Sequence, residues 1–444
     1  MVLRIVADRE MTLGLYDIAM HAGRGAITAL GRLHPDRNAG KFKRFCRGQI
    51  TASEAVEAAM QRLTEGLPTV WVHCASLGEY GIARPIIAEL RRRRACNVVL
   101  TFFSPTGYEA LHRRMDAGEK VDADAVLYLP LDTRKNARRF LDAVKPVCAL
   151  FMVSEFWHNY LNELNRRGIP TMLVSAIIRR DSALMRPYGG IYRQSARCFS
   201  RIFALDEPSV ERLRQSGVTT ASVNGDPLFD NAVIVASTPW NNDALERFAA
   251  GREVFIAGSL HHDADLDLLA GLAEKHPELP MIIVPHEITP TMLDAVDRRI
   301  TGRTLRLSAI DADTDLTGVR GIVVDNVGQL AYLYRLGRWA YVGGGFTRLL
   351  HSVIEPVVYG LPVAFGPKTG RKVTPAQLIA EGIGARLTDA GELTAWFESL
   401  NGDTARLNSI ADSAKKYVAR NSGATARVVD AVVEAIENHK AEMP

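Results

Sequence analysis

Residues able to do acid–base or recognition chemistry recur in this chain just after short apolar runs. The run 70–74 opens into Ala75-Ser76-Leu77-Gly78-Glu79. A carboxylate beside such a turn can serve as a general base for a hydroxyl within hydrogen-bond reach. In the first turn of a helix it would instead complement the macrodipole. A second run ends in Ser104-Pro105-Thr106-Gly107. There Ser104 or Thr106 is placed to cap a helix, and free N–H groups can hold an anion. A third leads into Glu155-Phe156-Trp157-His158-Asn159, which suits a sugar through ring stacking and hydroxyl hydrogen bonds. In the second half, Gly258-Ser259 lets backbone approach a phosphate closely. Pro285-His286 and Asn326-Val327-Gly328-Gln329 follow two further runs. Gly343-Gly344-Gly345 permits close approach of a ligand or of another backbone, and His351-Ser352-Val353-Ile354-Glu355 comes soon after. His351 and Glu355 are spaced i, i+4, as on one helix face. A carboxylate so presented can accept from both hydroxyls of a ribose. His261-His262-Asp263 reads as a polar helix start, because no partner cluster accompanies it.

Strands must carry these residues and helices must follow them. Strand-like runs fall at 70–74, 98–102, 126–129, 147–153, 171–174 and 202–204, with helical stretches at 80–94, 106–116, 132–142, 157–167 and 207–216. A boundary region at 226–252 follows, rich in Pro and Asn. The alternation then restarts with strands at 254–257, 281–284, 321–324, 340–342 and 362–365. Helices are expected near 263–274, 289–300, 328–335, 351–359 and 374–381, and throughout 389–438. Strands joined by helices need right-handed crossovers, hence two doubly wound parallel sheets. Ligands bind such sheets outside the carboxyl ends of the strands, and two such domains facing a cleft suit two substrates.

Composition narrows the function. The 444 residues are 47% hydrophobic and 23% charged, as in globular chains. The five cysteines are scattered and never spaced CxxC, which argues against a disulfide framework or zinc cluster. No run is apolar and long enough to span a bilayer. Residues 1–50 carry nine Lys/Arg against four Asp/Glu, while the rest is nearly neutral. Leu13, Tyr16, Met20, Ile27 and Leu30 recur there at helical spacing, beside Arg24, Arg32, Arg37, Lys41, Lys43, Arg44 and Arg47. Such a segment can lie on an anionic membrane or dock on its own protein. A nucleic-acid module is disfavoured by the near-neutral remainder, and a nicotinamide dehydrogenase by the absent GxGxxG.

Taken in order, Trp71-Val72-His73-Cys74-Ala75-Ser76-Leu77-Gly78-Glu79, Ser104-Pro105-Thr106-Gly107, Tyr128-Leu129-Pro130-Leu131-Asp132 and Glu155-Phe156-Trp157-His158-Asn159 resemble the 3-deoxy-D-manno-octulosonic acid (Kdo) transferases of lipid A assembly. The resemblance implies a GT-B glycosyltransferase with two Rossmann-like domains. A basic membrane-associating segment at 1–50 would precede an acceptor domain at 51–225 and a CMP-Kdo domain at 226–444. It implies a peripheral or N-terminally anchored enzyme on the cytoplasmic face of the bacterial inner membrane, with CMP-Kdo as donor, a lipid A precursor as acceptor, inversion of the anomeric centre, and no cofactor or catalytic metal. Glu79 falls on the general base and Glu155 on a second catalytic carboxylate. Ser76, Gly78, Ser104, Thr106 and Trp157 would meet the acceptor. Gly258, Ser259, Pro285, His286, Val327, Gly328, Gln329, Ser352, Val353, Ile354 and Glu355 would meet the CMP moiety. The chain departs from the family at Leu228, where a Lys or Arg is usual, at Ser352 for Asn, and at His286 for Arg. The alternatives are another GT-B nucleotide-sugar transferase, or a weakly active or non-catalytic paralogue that binds lipid or sugar nucleotide.

Overall fold

The computed structural model describes residues 41–442 apart from 262, 348, 349 and 371, together with 16–18, 20–23, 25 and 27. These form two compact units. One runs up to Leu228 and resumes at Ser422, and the other spans Phe229–Asn421.

The first unit holds a seven-stranded sheet in the order β3-β2-β1-β4-β5-β6-β7. Its strands are β1 (Thr69–Cys74), β2 (Asn97–Phe102), β3 (Ala125–Tyr128), β4 (Cys148–Met152), β5 (Thr171–Ala176), β6 (Arg201–Ala204) and β7 (Ala221–Val223). Every neighbouring pair is parallel. Alternate side chains build two cores. Val70, Val72 and Cys74 pack with Ile82, Ile86 and Leu90 of helix Leu77–Arg93 on one face. Trp71 packs with Phe140, Phe151 and Tyr160 on the other. Apolar burial on both faces explains why these strands read as unbroken apolar runs.

Helix Ala424–Glu442 covers the first of these faces with Val428, Val429, Val432 and Ile436. Arg93 pairs with Asp430 and Arg201 with Glu434, and Arg427 donates to Asn224. Residues 422–442 therefore depart from the expected 226–444 grouping, because the first sheet needs their apolar stripe to close its core. The 1–50 grouping changes as well. Residues 41–50 are the start of helix Lys41–Met60, whose Phe45 and Cys46 are buried with Leu131. Met20 and Ile27 pack on that cluster, and the Tyr16 hydroxyl donates to Asp132. These members of the expected apolar stripe thus face the protein itself. Leu13, Arg24, Leu30, Arg32 and Arg37 lie outside the described residues.

The second unit repeats the plan in the order β10-β11-β9-β8-β12-β13-β14. Its strands are β8 (Val254–Leu260), β9 (Met281–Pro285), β10 (Thr304–Arg306), β11 (Gly321–Val323), β12 (Gly337–Val342), β13 (Val363–Phe365) and β14 (Gly384–Arg386). Helices Ala390–Glu398 and Thr404–Asn421 end the unit, and with helix Ala424–Glu442 they fill the stretch 389–438 expected to be helical. Among the described residues, no helix is long and apolar enough to cross a membrane.

Candidate active site

The order in which the chain adds strands reverses in each sheet between one pair of adjacent parallel strands: β1 and β4 in the first unit, β8 and β12 in the second. At such switch points the loops diverge and leave a crevice at the strand ends. Glu79 follows β1 and Glu155 follows β4, so the first switch point carries both expected catalytic carboxylates.

Local rules hold Glu79 in place. Ser76 caps helix Leu77–Arg93, its hydroxyl accepting from the Glu79 N–H at 3.4 Å. The Glu79 carboxylate accepts from the Ala75 N–H at 2.5 Å. This is close to a capping box, shifted by one residue. Burial, and then the charge of Glu155, push the Glu79 carboxyl up to about 8, against the opposing Ala75 hydrogen bond. The structural and the chemical readings of Glu79 therefore coexist. A carboxylate this basic is matched to taking a proton near neutral pH.

Glu155 accepts from the Trp157 indole N–H at 2.7 Å and lies 3.7 Å from His73 Nε2. The Trp157 ring packs on Phe103, with ring centroids 4.7 Å apart. His158 and Asn159 of the same motif turn into the body of the protein. His158 is bonded to Ser195 and Asn162, and Asn159 Nδ2 donates to the Asp132 carbonyl. Their expected part in sugar binding is corrected to a structural one. Asp132, fully buried, accepts from the Asn159 and Tyr160 N–H groups at 3.2 and 3.1 Å. It thereby caps helix His158–Arg166, whose own N-cap, Trp157, makes no side-chain cap. Burial pushes the Asp132 carboxyl up to about 6, and those hydrogen bonds oppose the rise.

The N-terminus of helix Pro105–Asp116 meets that of helix Leu77–Arg93. The Ser104 N–H donates to the Ala75 carbonyl at 2.8 Å, and the Ser104 hydroxyl accepts from Thr106. A Cβ on Gly107 would collide with the Phe102 ring and come within 3.1 Å of the Leu77 nitrogen. Ser76, Gly78, Ser104 and Thr106 thus lie on two converging helix starts, where N–H groups favour an anion. Leu228 packs on the same core, beside Gly81 two residues beyond Glu79.

In the second unit, the loops after β8, β9 and β12 bring three imidazoles together. Ring centroids are 5.0 Å apart for His261–His286, 4.2 Å for His286–His351 and 6.0 Å for His261–His351. His351 is pushed down to about 4, first by burial and then by His286, Lys372 and His261. Asp265, fully buried, accepts from the Tyr341 hydroxyl and the His261 and Gly344 N–H groups, which ties the β8 and β12 loops together.

Several expected donor residues occupy different roles from those foreseen. The space beside Gly258 is taken by Tyr334 and Leu330, so that glycine serves packing. The triple glycine serves backbone approach: a Cβ on Gly343 would strike the Ser259 carbonyl, and one on Gly345 would lie 2.5 Å from the Gly366 nitrogen. Ser259 adopts φ +55° in a β8 irregularity. Val353 and Ile354 are buried in the core and offer only backbone. Ser352 accepts from the Ile354 N–H, so the helix begins at Ile354 and excludes His351. The expected shared helix face of His351 and Glu355 is therefore corrected. Gln329 is bonded to Asn242 and Asn326, whereas Val327 is 85% exposed beside Gly328. Pro285 ends β9, and the His286 N–H donates to the Leu260 carbonyl.

Two Rossmann-like parallel α/β units, each with polar loops at its switch point, define a GT-B architecture. Solved structures of that fold align over most of the chain. The UDP-GlcNAc 2-epimerase from Neisseria meningitidis matches with a TM-score of 0.57 and 15% identity, covering 82% of this chain and 100% of that one. Acinetobacter baumannii MurG matches with a TM-score of 0.55 and 14% identity, covering 83% and 99%. Residues 42–231 match the family model described as 3-deoxy-D-manno-octulosonic-acid transferase (kdotransferase). The 3-deoxy-D-manno-octulosonic acid transferase of Bordetella pertussis is 29% identical, over 82% of this chain and 86% of that protein. Its namesake in Aquifex aeolicus is 27% identical over 73% and 83%. Residues 42–231 thus carry the N-terminal domain of the Kdo transferases, and these relatives support a Kdo-transferring glycosyltransferase.

Proposed function

We propose that this protein transfers Kdo from CMP-Kdo to a lipid A precursor, with inversion at the anomeric carbon and Glu79 as the general base. The observation that carries the reading is the Glu79–Glu155 pair at the first switch point, with Glu79 made basic by burial and by its neighbour. The acceptor hydroxyl gives its proton to Glu79 as its oxygen bonds to the anomeric carbon. The bond from that carbon to the CMP phosphate oxygen breaks, and CMP leaves with the electron pair. Ser76, Gly78, Ser104 and Thr106 offer helix-start donors to an anionic acceptor, and Trp157 borders Glu155. In the second unit Ser259, His286, Val327, Gly328 and Ser352 lie in loops able to hold the nucleotide. Glu355 is the ribose ligand. The acceptor is a membrane lipid, so the protein works at the cytoplasmic face of an anionic inner membrane.

Incubation with CMP-Kdo and a tetraacyl lipid A precursor, read by CMP release and lipid mass, tests the proposal. A mass gain of Kdo that Glu79→Ala abolishes supports it. Leu228 favours a second reading, a paralogue of weakened turnover, because leucine supplies no positive charge beside the helix that carries Glu79. CMP-Kdo binding without transfer would select that reading, and absence of binding would refute both.

A further inference from the structure

His73 belongs to the motif that ends in Glu79, yet the mechanism above does not use it. Its side chain is fully buried, and Nε2 has neither solvent contact nor a hydrogen-bond partner. Its neighbours favour one position for its proton. Thr101, its register partner on β2, holds its hydroxyl 2.9 Å from His73 Nδ1 and 2.9 Å from Trp71 Nε1. An indole N–H only donates, so the Thr101 oxygen accepts from Trp71 and keeps its own hydrogen to give. The available acceptors are His73 Nδ1 at 2.9 Å and the Val72 carbonyl at 3.5 Å, and the shorter contact is the stronger. With that hydrogen given to Nδ1 the imidazole proton sits on Nε2, whereas the other tautomer would set a bare Nε2 lone pair against the Glu155 carboxylate. The Nε2–H faces Glu155 Oε2 across 3.7 Å, while the Trp157 N–H bonds the same oxygen.

We propose that His73 is a positioning residue for the carboxylate pair, its Nε2–H and the Trp157 indole N–H together aiming Glu155 beside Glu79. The inference rests on the reading of Glu79 as base. The charge of Glu155 contributes to the basicity of Glu79, so a carboxylate free to swing away weakens the base. Hydrogen bonds at such sites are often long before substrate binds, and a modest shift closes this one.

The test uses the full chain. His73→Leu removes the N–H, whereas His73→Gln can return an amide N–H to nearly the same place. The expected result is a kcat lower by about 10–100-fold for His73→Leu, KM within about threefold, and most of kcat recovered in His73→Gln. Equal activity in the two variants, or equal loss in both, overturns the proposal. A second arm needs no turnover and no folded His73 variant. In histidine-selective 15N spectra, the His73 ring should show a protonated Nε2 and a bare Nδ1, and the Nε2 resonance should move in Glu155→Gln. Thr101→Val should broaden it toward a mixture of tautomers. A proton on Nδ1, or no response to Glu155→Gln, refutes the placement. Success of this arm with no Kdo transfer would leave His73 tied to Glu155 and reject the Kdo reading alone.

Discussion

Glu79→Gln should stabilise the protein in alkali while abolishing turnover at every pH. The Glu79 carboxyl is raised from 4.5 to about 8, first by burial and then by Glu155. A raised carboxyl favours the folded state fully below its unfolded pKa, and that contribution is lost as pH climbs from about 4.5 through 8. A shift of this size corresponds to at most about 5 kcal/mol, lost progressively across that window. Glu79 is only partly shielded from water, so a realised loss of ~2 kcal/mol is the working figure. Glutamine keeps the carbonyl that accepts from the Ala75 N–H and cannot ionise. Variant and native protein should thus melt together near pH 5 and diverge by about 4–8 °C at pH 9 for a unit of this size. Thermal unfolding of both proteins at the two values reads the difference directly, because other alkaline titrations act on each alike. Parallel melting curves at both pH values would show that Glu79 carries no extra proton, and the argument for its basicity would fail.

Asp132→Ala strips the cap from helix His158–Arg166 and orphans two buried N–H groups. It should cost about 2–4 kcal/mol and lower turnover through the adjoining Glu155 and Trp157, and an unchanged melting temperature would contradict this. Leu228→Lys places a cation beside the helix that carries Glu79, while the lysine stem covers the same apolar surface. Transfer assays should show a rise of up to ~10²-fold with little change in melting temperature; no rise would remove Leu228 as the cause of any weakness. His351, held down at about 4 by burial and then by His286, Lys372 and His261, is neutral at pH 7. An arriving phosphodiester favours its protonation, so CMP-Kdo binding should take up protons and weaken as pH rises above about 4. Calorimetry in buffers of different ionisation enthalpy measures that uptake, which His351→Gln should reduce, and a buffer-independent enthalpy would refute it.

What the sequence displayed and what it hid follow from how each residue meets its partners. The central strands are buried on both faces, so their apolar runs stand out, whereas β7, β10 and β14 are three-residue edge strands with little burial to signal them. Helix Ala424–Glu442 follows the second unit in sequence but completes the first, and no local pattern records which core an apolar stripe will join. The same distinction runs through the site. Glu79 was visible because its capping sequence and its position after an apolar run are local. The role of His73 depends on Thr101 and Glu155, 28 and 82 residues away, which meet it only once β1 lies between β2 and β4. Asp132 likewise caps a helix that starts 26 residues later. Its motif was legible, but its task was not. Residue type announced the groups able to titrate. The order of strands determined which of them would act on one another, and the basicity of Glu79 arises at that second level, since its burial and Glu155 together produce it.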